Sequence, residues 1–311
     1  MKRNIKLTIE YDGTAYHGWQ SQENAVTVQD TVTAAVCSLT GEHCTLTGSS
    51  RTDAGVHAMG YICNFFTDST IPSDKFSFAL NTILPEDIVV KKSEEAAPDF
   101  HSRFSAKGKK YTYLIYNSTF PSALLRNRAY HVYYPLDIGV MNEAASYFTG
   151  THDFFAFSAS GGSVKTTVRT ITEATVTAIS YRGDFQKRSD TALNGVNDSS
   201  TDQSNNMIDG AYGNNPNQSG VMIKGMYGGK PDQSDPVIKG ISAPGGSLIE
   251  FSIKGDGFLY NMVRIIAGTL VEVGFGKLKP EEIPGIISSL DRRRAGRTAP
   301  AHGLYLSEVY Y

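Results

Sequence analysis

The feature that most restricts the fold is the repeated change of hydrophobic period along the chain. Ile5, Leu7, Ile9 and Tyr11 alternate with polar residues, as a half-buried strand does, and Asp12-Gly13 closes the run. Val28, Val32, Val36 and Leu39 then form one face of a helix that Thr27 can cap and Gly41 can stop. Thr45 to Thr47 leads into a loop around Asp53, and Tyr61 to Phe66, bulky on both faces, reads as a central strand. Pro72 suits the first turn of a helix running to about Leu84, and Asp87 to Lys92 reads as a third strand. Tyr111 to Tyr116 is a strand, Leu136 to Phe148 a helix, and His152 to Phe155 a short helix. Val168 to Ser180 is a long strand with Leu248 to Ile253 as its partner. Leu259, Met262, Val263, Ile266, Leu270 and Val273 keep helical spacing, Pro280 to Leu290 is a last helix, and Leu304 to Tyr310 a closing strand. Strands and helices alternate, but not every connection between strands is a crossover helix, so the expected class is α+β and not a doubly wound parallel sheet. Two halves of similar element content are expected, residues 1–105 and 106–311.

One stretch obeys neither period. At about 184–246 the chain repeats every 15 residues: Leu193-Asn194-Gly195, Ile208-Asp209-Gly210, Ile223-Lys224-Gly225 and Ile238-Lys239-Gly240 recur in phase. Gly, Asn, Ser and Asp dominate and little is available to bury, so a disordered or loose hairpin insert is expected, dispensable for chemistry. Residues 190–246 hold six Asp, no Glu and three Lys, a net 3 − 6 = −3, so the rest of the chain carries −2 + 3 = +1.

That redistribution matters because the whole-chain charge of −2 does not announce a nucleic-acid binder. Between Asp99 and Asp137 there is no acidic residue but six cations, Arg103, Lys107, Lys109, Lys110, Arg126 and Arg128, interleaved with Tyr111, Tyr113 and Tyr116. Such a stretch suits contacts to phosphates. Cys37, Cys44 and Cys63 form no CxxC pair and read as reduced thiols of a cytosolic protein. The seven histidines show no zinc spacing, so no metal is expected, and no apolar run spans a membrane. The N-terminus enters a charged, alternating strand directly and reads as lacking a signal peptide.

The chemistry concentrates in Ser49-Ser50-Arg51-Thr52-Asp53-Ala54-Gly55-Val56-His57-Ala58. Gly55 permits positive φ or a close backbone approach. Asp53 projects from a bend beside Arg51, which can keep a partly buried carboxylate ionised. A desolvated carboxylate next to a cation can act as nucleophile or general base. The same residues also suit a plain capped turn with a surface ion pair.

Five motifs decide between these readings. The Asp53 stretch resembles the signature of the TruA family of tRNA pseudouridine synthases. Tyr11-Asp12-Gly13-Thr14-Ala15-Tyr16-His17-Gly18-Trp19-Gln20 resembles the family's first motif. Asp99-Phe100-His101-Ser102-Arg103-Phe104-Ser105-Ala106 with Lys110-Tyr111-Thr112-Tyr113 resembles the central one. Gly257 to Arg264 and Thr298 to Leu306 resemble the last two. The resemblance implies two α+β halves whose antiparallel sheets join around a central cleft. It implies isomerisation of uridine to pseudouridine at positions 38, 39 and 40 of the tRNA anticodon stem-loop, by a cytoplasmic homodimer that needs no cofactor. It assigns Asp53 as the nucleophile, Tyr111 as the tyrosine that stacks on the target base, and Arg264 as the arginine that pairs with the carboxylate. Attack at C1′ of the sugar and at C6 of the base both remain open. Arg51 is expected to hold the place of the flipped-out nucleotide, and Arg103, Lys110, Lys165 and Arg169 to contact RNA.

Two departures from the family pattern stand out: Ser50, where the family usually has glycine, and the insert. They leave room for a paralogue with shifted RNA targets. Two rivals are a non-catalytic RNA-binding protein on the same fold and a hydrolase, which would need a second carboxylate. Asp256 is the candidate for that second acid. Trp19, the only tryptophan, suits a stacking surface or a core anchor, and His57 reads as structural.

Overall fold

A computed structural model describes residues 2–161, 165–179 and 246–311. The repeat from Leu193 to Gly240, and with it almost all of the expected insert, lies outside the described residues.

Four strands come first: β1 (Arg3–Tyr11), β2 (Thr47–Gly48), β3 (His57–Thr67) and β4 (Ile88–Ala96). Then follow β5 (Gly108–Asn117), β6 (Tyr130–Val132), β7 (Gly150–Asp153), β8 (Val168–Ile179), β9 (Ser247–Gly255) and β10 (Leu304–Tyr310). They make one sheet in the order β4-β1-β3-β10-β5-β9-β8-β7, with β2 on β3 and β6 on β5. Among the described residues the helices are α1 (Val28–Thr40), α2 (Phe76–Asn81), α3 (Ile138–Ser146), α4 (Met262–Gly274) and α5 (Ile283–Ser289). The protein is an α+β fold built on one largely antiparallel sheet, as the mixed connections led one to expect.

The alternation of β1 fixes its face. Ile5, Leu7 and Ile9 are buried on the core side, and β1 pairs antiparallel with β3 and β4. α1 begins at Thr27, whose hydroxyl accepts the Asp30 amide, and ends at Gly41 in the left-handed region. β3 is central, as its bulky faces predict. The closing strand β10 enters between β3 and β5, parallel to β3 through Tyr305 and Leu306 and antiparallel to β5. This is how the early and late strands become one sheet.

One predicted element changes type. Of the residues expected as a short helix, His152 to Phe155, the first two instead end β7, which pairs with β8, and Phe155 opens a single 3-10 turn at Phe155–Phe157. An available sheet edge overrides a weak local preference. α4 is the most enclosed helix: it packs against β5 and α3, and only Arg264 of its residues escapes full burial.

Candidate active site

Asp53 lies in the turn between β2 and β3, which its own carbonyl closes by accepting the Val56 amide at 3.1 Å. The Tyr16–Trp19 segment grips this turn from below. Gly55 donates its amide to the Tyr16 carbonyl at 3.2 Å, Trp19 donates to the Thr52 carbonyl at 3.4 Å, and Tyr11 Oη lies 2.9 Å from Thr52 Oγ1. Gly18 makes the grip possible. Its φ is +86°, and a Cβ there would stand 2.1 Å from the Thr52 oxygen. Trp19 is a core anchor, 3% exposed and stacked on Tyr61 with ring centroids 3.9 Å apart. The first and second sequence motifs are thus one structural unit, the second supplying the carboxylate and the first holding its loop.

Arg264 reaches Asp53 from α4. Its Nη1 donates to Asp53 Oδ2 at 2.9 Å and to Asn261 Oδ1 at 2.7 Å, and its Nε donates to the Ala299 carbonyl at 2.9 Å. The Ala299 amide returns a bond to the Arg264 carbonyl at 3.0 Å. Asn261, at φ +59°, is the residue before the helix, and its side chain turns onto the guanidinium instead of capping α4. The last motif therefore acts as the arginine's brace. A guanidinium held on three acceptors presents one fixed donor to the carboxylate.

Tyr111 lies on β5 between Leu306 of β10 and Ile253 of β9, buried, with its ring edge-on to Phe258 at 5.0 Å. Its hydroxyl is 3.3 Å from Ser50 Oγ, and Lys109 Nζ donates to the same oxygen at 3.2 Å. Burial, aided by the nearby Asp53 charge, pushes the Tyr111 phenol up to about 12, while the Ser50 contact pulls the other way. At neutral pH it keeps its proton. Burial, with Arg103 nearby, brings the Lys109 ammonium down to about 8. Tyr113 is buried beside the site and donates to the Pro300 carbonyl at 2.7 Å.

Asp53, Arg51, Tyr111, Arg103, Lys109 and Ser50 line a common cleft of about 840 Å³. Arg51 and Arg103 are exposed there. Lys110 is not in that lining. Strand alternation turns it to the opposite sheet face, between Glu308 and Lys254. Lys165 is exposed, and Arg169 folds back onto the Thr166 and Val168 carbonyls at 2.9 and 2.6 Å, neither lining the cleft. Lys109, expected only as one of six cations suited to phosphates, lines the cleft because a period of two puts it on the face of Tyr111. Two site residues have no role in the sequence reading: Ser50, which stands there only as a departure from the family pattern, and Asn261, which lies inside the Gly257 to Arg264 motif.

The candidate second acid is otherwise engaged. Asp256 Oδ1 accepts the Thr170 amide at 3.1 Å and lines a separate cavity of about 260 Å³ with Lys254 and Tyr310. His57 is buried, stacked on Tyr305, accepts the Gly13 amide at Nδ1 and puts Nε2 3.2 Å from the His302 carbonyl. Burial lowers its pKa, although Asp12, 3.0 Å away, pulls upward. Among the described residues no cluster of three His, Cys, Asp or Glu could hold a metal, and no helix is long and apolar enough to cross a membrane.

The sequence profile of a family described as tRNA pseudouridine synthase matches residues 7–105 and 144–311. A protein of Acetivibrio thermocellus named tRNA pseudouridine synthase A is 51% identical over 309 residues, covering 99% of this chain and all of that one. One of the same name from Ruminiclostridium cellulolyticum is 47% identical over 309 residues, with the same coverage. A Clostridium tetani protein named tRNA pseudouridine synthase A 2 is 43% identical over 313 residues, covering both chains in full. With a profile that covers most of the chain and relatives this similar from end to end, the chain belongs to the tRNA pseudouridine synthase family.

Proposed function

We propose that this tRNA pseudouridine synthase isomerises uridines 38, 39 and 40 of the anticodon stem-loop, with Asp53 as the nucleophile. The observation that carries the reading is the Asp53–Arg264 pair, 2.9 Å apart, in a cleft that also holds Tyr111. The reaction breaks the N1–C1′ bond, turns the uracil and forms C5–C1′. The C5 proton is lost and N1 gains one. Asp53 supplies the carboxylate that attacks C1′ or C6. Arg264 fixes its orientation. Tyr111 stacks on the target base and, with its proton held, acts as a hydrogen-bond donor. The step is redox-neutral and intramolecular, so the chain's own side chains suffice for it.

RNA affinity comes from Arg51, Arg103 and Lys109 at the cleft, with Lys110, Lys165 and Arg169 on flanking surfaces. Modifying three adjacent positions calls for recognition of shape and backbone, not of base sequence. In this reading residues 1–105 and 106–311 are the two halves flanking the cleft. The enzyme works in the cytoplasm as a homodimer, one tRNA touching both subunits.

The test is a single-turnover assay on unmodified tRNA with uridines at 38, 39 and 40, comparing wild type with Asp53→Asn and locating pseudouridine chemically. Product at those positions, lost in the variant, is expected. Product elsewhere refutes the target assignment, and an active Asp53→Asn refutes the nucleophile.

A further inference from the structure

Between β4 and β5 the chain crosses the outer face of the sheet, and a buried polar network ties it there. Ser102, fully buried, donates its amide and hydroxyl to Asn64 Oδ1 at 3.0 and 2.6 Å. Asn64 donates to Asn4 Oδ1 at 2.8 Å, and Asn4 donates to the Ala97 and Phe100 carbonyls, both at 2.9 Å. Tyr311 donates its hydroxyl to the Ser102 carbonyl at 2.7 Å. His101 closes the tip: its Nδ1 accepts the amides of Arg103 and Phe104, both at 3.2 Å. The backbone around residue 104 is therefore held firmly.

On this fixed tip Phe104 is 77% exposed. The His101 ring stacks on it at 4.3 Å and supports one side of it. The Arg103 guanidinium lies 5.7 Å from its ring centroid and has no carboxylate partner among the described residues. All three line the cleft that holds Asp53 and Tyr111. A large apolar ring kept in water on a tied loop asks for a flat partner. The cation beside it and the acid-free stretch around it ask for that partner to be anionic. A nucleobase with its phosphate one sugar away has both properties, and an aromatic platform beside a cation is how single-stranded bases are held.

We infer that Phe104, backed by His101 and flanked by Arg103, is a stacking platform for an unpaired base of the bound tRNA other than the target uridine. The inference rests on the function proposed above and adds a second base-binding position to it. Tyr111 takes the uridine to be isomerised. Phe104 holds a neighbouring unstacked base, which offsets part of the cost of opening the loop.

The test uses the full-length protein, with tRNA binding and single-turnover product formation measured separately. Phe104→Ala should weaken tRNA binding by roughly 5- to 140-fold, the span that alanine substitution at a base-stacking aromatic gives. Phe104→Tyr should stay near wild type, and Phe104→Leu, apolar but without a π face, should lose most of what Phe104→Ala loses. The melting temperature should not move, because the ring is outside the core. Trp19 is buried, so in Phe104→Trp an exposed indole reports directly. Its fluorescence should be quenched by tRNA and not by fully paired RNA of the same length. Equal affinity in wild type and Phe104→Ala, with pseudouridine still made at 38, 39 and 40, overturns the platform and leaves the proposed function standing. Quenching in Phe104→Trp that follows protein concentration without RNA assigns the ring to a contact between two copies, and also overturns it. Loss of affinity in Phe104→Ala without product at those positions in wild type supports the platform and removes the target assignment instead.

Discussion

Replacing Arg264 by Met removes the guanidinium while keeping an unbranched apolar stem in α4. Three acceptors lose their donor: Asp53 Oδ2, Asn261 Oδ1 and the Ala299 carbonyl. The pair is neither exposed nor fully enclosed, with side-chain exposures of 17% for Arg264 and 25% for Asp53. Exposed pairs are worth about 0–1 kcal/mol, whereas stripping one partner from a buried pair costs about 3–5 kcal/mol. An intermediate burial puts the lost orientation of Asp53 at about 2–3 kcal/mol. If that orientation is needed at the barrier, the single-turnover rate falls roughly 30- to 150-fold. Arg264→Lys keeps a charge, but one ammonium cannot reproduce a fork that spans Asp53, Asn261 and Ala299, so a loss of about tenfold is expected. tRNA affinity should change less than about threefold, because the guanidinium is turned on Asp53 and not on a phosphate. Rates at saturating enzyme with a parallel binding titration separate the two. A wild-type rate in Arg264→Met, or a defect confined to affinity, would show that Arg264 does not orient Asp53 for the reaction.

Two further outcomes are expected. Lys109 loses its charge above about 8 because burial favours the neutral amine, so its contribution to tRNA affinity is present below that pH and fades as pH rises through it. Wild-type affinity at constant salt should therefore decline through pH 8 while Lys109→Arg stays level; equal slopes would remove Lys109 from the RNA contact. Gly18→Ala places a Cβ against the Thr52 oxygen at a φ that L residues avoid, so it should cost about 1–3 kcal/mol in denaturant unfolding and slow the reaction by shifting Asp53. An unchanged melt and rate would show that the Tyr16–Trp19 segment does not hold the loop.

Much of the secondary structure was legible, and the exceptions have physical reasons. β1, α1, β8 and β10 follow from their apolar period and caps, and the observed bounds lie close to the predicted ones. The stretch His152 to Phe155 is too short to carry a decisive period, so the edge of β8 takes His152 and Asp153 and leaves only a 3-10 turn from Phe155. The parity of β5 puts Tyr111 and Tyr113 on one face, and it has a further consequence: once Tyr111 faces the cleft, Lys109 faces it too and Lys110 cannot. Ser50 was visible only as an absent glycine. Its meeting with Lys109 and Tyr111 depends on β5 lying close to a loop some 60 residues earlier.

By itself the sequence determined the class of fold, the reactive residue types and their local settings, because hydrophobic period, caps and turn residues act within a few positions. It determined that Asp53 sits on a bend and that Tyr111 and Tyr113 share a face. The family motif named Arg264 as the partner of Asp53, but no spacing along the chain explains how a residue 211 positions away reaches it; the folded sheet brings the two to 2.9 Å, with Asn261 and Ala299 as the brace. Only the tertiary structure decided that the Tyr16–Trp19 segment lies under the Asp53 loop and that Ser102 pins the loop carrying Phe104. The reason is that a hydrogen bond needs its atoms within about 3 Å. Closure of one sheet through the C-terminal strand, and not any spacing along the chain, brings them there.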